Sequence, residues 1–383
     1  LSNDMTAQSN SVKKTRDSNI ELLRIIAMLL LVAHHYVVNS GLLQAVNNAP
    51  ISVDGALTLL LGQFGKPLIN SFVMITCYFM CTANITFKKF LKLLLQIMFY
   101  RIVILIVFAI VNGDILSLSF VKRFALVLIP IQSIGTGFTN AFLMFYLLIP
   151  FLNRMVRGLS ESQHVLLLVL FGFLYCILGI FHSIEFNYVS WFAVLYFFAA
   201  YIRFYRKKWF SDIKATGIMT AVVAALSSLS IIAIYVLNAK TKFSLPLYAF
   251  VVDSNNLLPT ALGISLFMLF MNLKIGQSRL INTVASTTFG VLLIHTNAQV
   301  RGLLWYDWFK CAESYTKYPL SVVYMIGVVV LVFVVCSAID YLRIKLIEEP
   351  FFKRMDKKLD SISESFSKRL DTLFTKLGIG STN

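Results

Sequence analysis

The stretch Asn19 to Ser40, NIELLRIIAMLLLVAHHYVVNS, is apolar and long enough to cross a bilayer, yet it holds Glu21, Arg24 and the adjacent pair His34 and His35. An ionisable side chain at membrane depth costs roughly 3 kcal/mol on insertion scales, so such residues are rare without a task. Their spacing is informative. Arg24 and His35 are eleven residues apart, which at about 100° per residue leaves them within about 20° of each other on a helix. Along the axis they stand about 16 Å apart. Asp17, seven residues before Arg24, extends the same stripe by the same spacing. One helix face is therefore expected to carry a cation near its start and an imidazole deep inside. His34 is rotated by about 100° and reads as a packing or hydrogen-bonding residue.

Composition sets the class. The chain has 383 residues, of which 58% are hydrophobic and only 14% charged; its mean hydropathy is +0.77. Soluble chains carry about 25% charged residues. Apolar windows of membrane-spanning length recur near 20–40, 67–85, 93–112, 138–153, 164–182, 188–204, 215–237, 257–273, 282–303 and 320–342. The expected fold is thus an all-α polytopic membrane protein of about ten transmembrane helices. Residues 55–66, 120–134 and 243–256 are apolar but short or interrupted, among others by Pro130 and Gly135, and suit re-entrant or interfacial segments.

The net charge of +16 does not point to nucleic acid, because Lys and Arg come in short clusters between apolar runs. Lys13, Lys14 and Arg16 precede the first window; Lys88, Lys89 and Lys92 lie between the second and third. Arg154 and Arg157 follow the fourth, and Arg203, Arg206, Lys207 and Lys208 the sixth. Lys274 and Arg279 follow the eighth, and Arg343, Lys345, Lys353 and Arg354 the tenth. With ten crossings every cluster falls on one side, which the positive-inside rule makes cytoplasmic, together with both termini. The expected division is a cytoplasmic segment 1–19, a membrane domain 20–350 and a cytoplasmic tail 351–383. In that tail Phe352, Met355, Leu359, Ile362, Phe366, Leu370, Leu373 and Leu377 recur every three or four residues, which predicts an amphipathic helix on the membrane surface or against a partner helix.

Few residues offer chemistry. His295 lies about as deep in the ninth window as His35 lies in the first, so two imidazoles are expected at one level; a histidine near neutrality serves as a general base. Interhelical hydrogen bonding accounts for such histidines equally well. His164 and His182 fall at window ends and read as solvated. Lys89 and Lys92, one turn apart, suit an anionic ligand by charge, and membrane anchoring explains them as well. The five cysteines read as small packing residues. No metal-ligand spacing and no nucleotide-binding or hydrolase motif occurs, which weakens zinc chemistry and ATP-driven transport.

These residues together resemble the membrane acyltransferase-3 family. Glu21-x-x-Arg24, ten residues and His35 are similar to its first-helix signature. FVMITCYF (Phe72–Phe79) is similar to its FF-x-x-SGYF stretch, with Thr76-Cys77 in place of Ser-Gly. Lys88-Lys89-x-x-Lys92 stands where the family has RR-x-x-R, FGVLLIH (Phe289–His295) resembles its late-helix motif, and Glu348–Phe351 its closing IE-x-PF. The resemblance covers about 17–354. It implies an O-acyltransferase of the bacterial cell membrane that moves an acetyl or similar group from cytoplasmic acyl-CoA, a substrate rather than a bound cofactor. The acceptor would be a hydroxyl of a cell-surface polysaccharide or lipid-linked glycan. His35, Arg24 and His295 would be catalytic. Lys88, Lys89, Lys92 and Arg24 would hold the donor phosphates, with Asp17, Glu21 and Glu348 in support. Arg301, Trp305, Tyr306 and Trp308 offer either sugar-stacking groups or an interfacial belt. The alternative is a transporter of a glycan or acylated intermediate.

Overall fold

The computed structural model describes residues 17–83, 85–129, 137–181, 187–241 and 243–376. Lys13, Lys14, Arg16, Pro130, Gly135, His182, Leu377 and the side chain of Leu370 lie outside the described residues. Among the described residues each apolar window holds a helix: α1 (Ser18–Val38), α2 (Gly65–Met80), α3 (Phe87–Val111), α4 (Phe138–Arg157), α5 (Glu161–Phe171), α6 (Tyr188–Tyr205), α7 (Ile213–Lys240), α8 (Leu257–Asn272), α9 (Arg279–His295) and α10 (Ser321–Arg343). α5 runs on through a π-helical turn, Gly172–Ile177, to Phe181. No strand occurs among the described residues.

Among the described residues six helices are long and apolar enough to cross a membrane: α1, α3, α4, α6, α7 and α10 with its extension. The others are shorter, interrupted or more polar. Exposed apolar side chains such as Leu166, Ile218, Leu229, Val323 and Val334 cover the outer faces of α5, α7 and α10, a surface suited to lipid rather than water. The interrupted segments resolve differently. Residues Val53–Gly62 form a short helix packed on α1, α7 and α10. Leu118–Val127 form a helix with no buried residue, and 243–256 are irregular chain followed by turns and bends from 247.

Local sequence sets the ends. Thr86 accepts a hydrogen bond from Lys89 N at the start of α3, Ser160 and Gln163 form a reciprocal capping box on α5, and Ser278 caps α9. Such caps satisfy backbone donors that a helix start leaves open.

The first helix is central. α1 packs against α2, α9, α10 and the short helix 53–62, and Leu23, Val32 and Val37 on it are fully buried. Its start is tied to neighbouring ends: the Asn19 amide donates to the carbonyls of Phe270 and Met271, and Ser18 Oγ donates to Asn282 Oδ1. All five cysteines are free and buried.

After α10 the chain continues through a π-helical turn, Ile344–Glu348, into α11 (Glu349–Lys376). This amphipathic tail folds back across the start of α3. Lys88 is paired with Asp356 and Asp360, Ser363 Oγ accepts from Lys88 N at 3.2 Å, and Phe87 lies 6.1 Å from Phe366. Arg154 at the end of α4 reaches Asp371 at 3.5 Å. Of the two settings read from the sequence, the partner helix accounts for buried Leu359, while Ile362 and Leu373 remain exposed.

His164 corrects the sequence reading. It is fully buried and bonds to the Phe197 carbonyl at 3.0 Å, because α5 packs its first turns against α6.

Candidate active site

Two cavities flank the stripe on α1. The inner one, about 770 Å³, opens at the end of the bundle where the basic clusters gather. Glu21 and Arg24 of α1, Lys92 and Gln96 of α3, Arg279 and Asn282 of α9, and Arg343, Lys345, Glu348 and Glu349 line it. The outer one, about 910 Å³, is lined by His34 and His35 together with Lys66, Arg101, Tyr188 and Arg301. Phe72 stands between them: it lines the outer cavity, and the Arg24 guanidinium lies 5.4 Å from its ring centre.

At the wall of the outer cavity His35 and His295 meet. His35 Nδ1 lies 2.9 Å from His295 Nε2, and His295 Nδ1 lies 2.6 Å from the Val291 carbonyl oxygen. That carbonyl can only accept, so His295 carries its proton on Nδ1 and donates it there. The Nε2 of a neutral His295 is then an acceptor. His35 therefore donates from Nδ1, and its Nε2 keeps a bare lone pair. A backbone carbonyl thus sets the tautomer of one imidazole and, through it, of the next. His34 turns away, donating from Nδ1 to the Gly62 carbonyl at 2.7 Å. The ring fits only because Gly65 has no side chain; a Cβ there would lie 2.1 Å from His34 Cγ.

The inner cavity is organised by a buried ion network. Glu348 accepts from Arg343 Nη1 at 2.8 Å and from Lys92 Nζ at 2.6 Å. Arg343 Nε donates to Asp340 Oδ1 at 2.6 Å, and Tyr100 OH donates to the same oxygen at 2.6 Å. Asp340 is fully buried. It fits because Gly290 of α9 leaves room: a Cβ there would stand 2.0 Å from the Asp340 carboxyl carbon. Glu21 lies 3.8 Å from Arg24.

Several expected site residues sit elsewhere. Asp17 is the residue before α1, with extended backbone, so helical spacing does not carry it onto the stripe; it lines a separate shallow groove with Lys274. Lys88 faces the tail and Lys89 is exposed, so neither lines the inner cavity, and Lys92 alone of the three does. Trp305 is fully buried against Tyr36, whereas Tyr306 and Trp308 are exposed. Sequence reasoning passed over Lys66, Arg101 and Asp340. Arg101 and Asp340 each interrupt an apolar run, the signal that singled out Arg24.

A family model described as an acyltransferase domain matches residues 17–341. The chain belongs to the acyltransferase-3 family. Nothing matching it was found among curated proteins or among solved structures. As an acyltransferase-3 protein it is a multi-pass membrane acyltransferase, and its first-helix signature, Glu21, Arg24 and His35, is the line that joins the two cavities.

Proposed function

We propose that this chain is an O-acyltransferase of the bacterial cytoplasmic membrane, crossing it ten times with both ends inside. The donor is an acyl-CoA, acetyl-CoA in the simplest case, entering the inner cavity. Its phosphates fall to Lys92, Arg24, Arg279 and Arg343, while Lys88 stays with Asp356 and Asp360 of the tail. The thioester reaches past Phe72 towards His35. A polysaccharide or lipid-linked glycan enters the outer cavity and presents a hydroxyl.

His35 Nε2 takes the hydroxyl proton as the oxygen attacks the thioester carbonyl. The carbon–sulfur bond then breaks, and the coenzyme thiolate leaves and recovers a proton from the imidazolium. His295 Nε2 accepts from His35 Nδ1 throughout, which steadies the charge formed on His35. Arg24 anchors or polarises the donor. The observation that carries this reading is the His35–His295 pair, with its free Nε2, at the outer cavity and in line with a cationic inner cavity.

The test compares ester content of the purified surface glycan by mass spectrometry in cells with the native chain, with His35→Ala and with neither. His35→Ala is expected to lower transfer by about 10²- to 10⁴-fold, the range of a lost general base, while membrane insertion is kept. Full ester content in correctly inserted mutant protein overturns the reading. Vesicle flux of a glycan without thioester consumption favours a transporter instead.

A further inference from the structure

The two cavities treat positive charge in opposite ways. In the inner one four of the five cations that line it lie beside acids, Lys92 and Arg343 with Glu348, Lys345 with Glu349 and Arg24 near Glu21, and Arg279 is the fifth. In the outer one Lys66 of α2, Arg101 of α3 and Arg301, just beyond α9, line the same space as His35, and no carboxylate lines it among the described residues.

Neutral partners hold two of these cations. Lys66 Nζ donates to Tyr188 OH at 3.3 Å and lies 6.0 Å from its ring centre, while Arg101 Nη2 donates to Asn140 Oδ1 at 2.5 Å. Such partners position a cation without cancelling its charge. Lys66 and Arg101 also stand at one depth. Each is fourteen residues from the basic end of its helix, α2 or α3, or about 21 Å along the axis. Cations at that depth, with no carboxylate among the described residues that line their space, call for a counter-charge in a membrane, and low-dielectric walls concentrate their field on whatever occupies the space.

We propose that the outer cavity is an anion-binding site whose ligand is an acceptor bearing a fixed negative group, a carboxylate or phosphate, held by Lys66, Arg101 and Arg301 beside His35. The assignment of the ligand as acceptor rests on the acyltransferase reading; the anion site itself does not. The anion offsets the three cations and fixes which hydroxyl faces His35 Nε2. A neutral glycan leaves the cations unpaired and binds weakly.

The experiment uses the full chain in nanodiscs of neutral lipid. The probes are trigalacturonate, its methyl-esterified neutral counterpart and glucose 1-phosphate, read by isothermal titration at low and high salt. Trigalacturonate or the sugar phosphate is expected to bind with marked salt dependence, and the neutral ester is not. Lys66→Gln, Arg101→Gln and Arg301→Gln are each expected to weaken binding by about 10- to 100-fold, while Arg101→Lys retains most of it and controls for misfolding. Repeating the titration in nanodiscs with phosphatidylglycerol separates two sources of the anion: competition by this lipid assigns the site to a lipid-linked phosphate, and undiminished binding assigns it to an acid on the glycan.

Equal binding of charged and neutral probes, or full binding in the glutamine variants, overturns the proposal. Thioester cleavage that depends on His35 without anion binding overturns this inference and leaves the acyltransferase reading standing. Anion binding without any acyl transfer does the reverse.

Discussion

His35 and His295 meet across two helices through a relay that begins at the Val291 carbonyl, and the relay assigns them different work. On the proposed reading His35 presents a lone pair to the cavity, whereas His295 acts through His35 as a positioning residue. His295→Ala is therefore expected to reduce turnover by about 100-fold, the scale of a misoriented reacting group, with a smaller change in KM. His295→Gln, whose amide oxygen accepts the same bond, is expected to restore part of that loss; equal loss in both variants would leave only a packing role. Gly290 answers to a different constraint. Gly290→Ala places a methyl 2.0 Å from the Asp340 carboxyl carbon, and overpacking of this kind destabilises by about 1–3 kcal/mol. A lowered thermal midpoint in detergent, with His35 chemistry otherwise intact in the surviving fraction, is the expected result.

Among the elements, α1 and α11 show how far periodicity reaches. In α1 the wheel placed Arg24 and His35 on one face, and that face does join the two cavities. It failed for Asp17, because the extended residue before a helix does not share the helix's rotation. For α11 periodicity identified an apolar face without naming what covers it. The answer came from tertiary pairing: Lys88 with Asp356 and Asp360, and Arg154 with Asp371. Lys88→Asp sets a carboxylate against two others and is expected to release the tail, seen as faster proteolysis within 350–376 in inside-out vesicles. Unchanged cleavage would mean that buried Leu359, the Phe87–Phe366 contact and the Arg154–Asp371 pair hold the tail without Lys88. Surface ion pairs contribute about 0–1 kcal/mol each, so partial release is the expected extent.

For the whole molecule, the proposed ten crossings gather the basic clusters at one end of the bundle and put Tyr306 and Trp308, which follow α9 and are exposed, at the other. On the proposed ten crossings Trp209 falls inside and Trp308 outside. Both are exposed, at 50% and 64%, and the five native cysteines are buried, so single added cysteines report cleanly. Trp308→Cys is expected to react with a membrane-impermeant maleimide in intact cells, and Trp209→Cys only after permeabilisation. The reverse pattern would invert the topology and with it the assignment of donor and acceptor cavities.

The helical membrane class and the first-helix signature were legible in the chain because hydropathy and helical rotation are local properties; of the ten expected spans, six are long and apolar enough to cross a membrane among the described residues. The same signal, charge inside an apolar run, was present at Arg101 and Asp340, but nothing local distinguishes a cation that faces a cavity from one that anchors a helix. That distinction depends on which helices become neighbours. Packing brought His295 within hydrogen-bonding distance of His35, although 260 positions separate them. It turned Lys88 towards the tail and Lys92 towards Glu348, though both lie in the first two turns of α3. It also left Lys66 and Arg101 facing one space that no acid lines among the described residues. Sequence by itself determined the element and its stripe; tertiary structure decided the partners, because electrostatic and hydrogen-bond energies depend on distances that only packing sets.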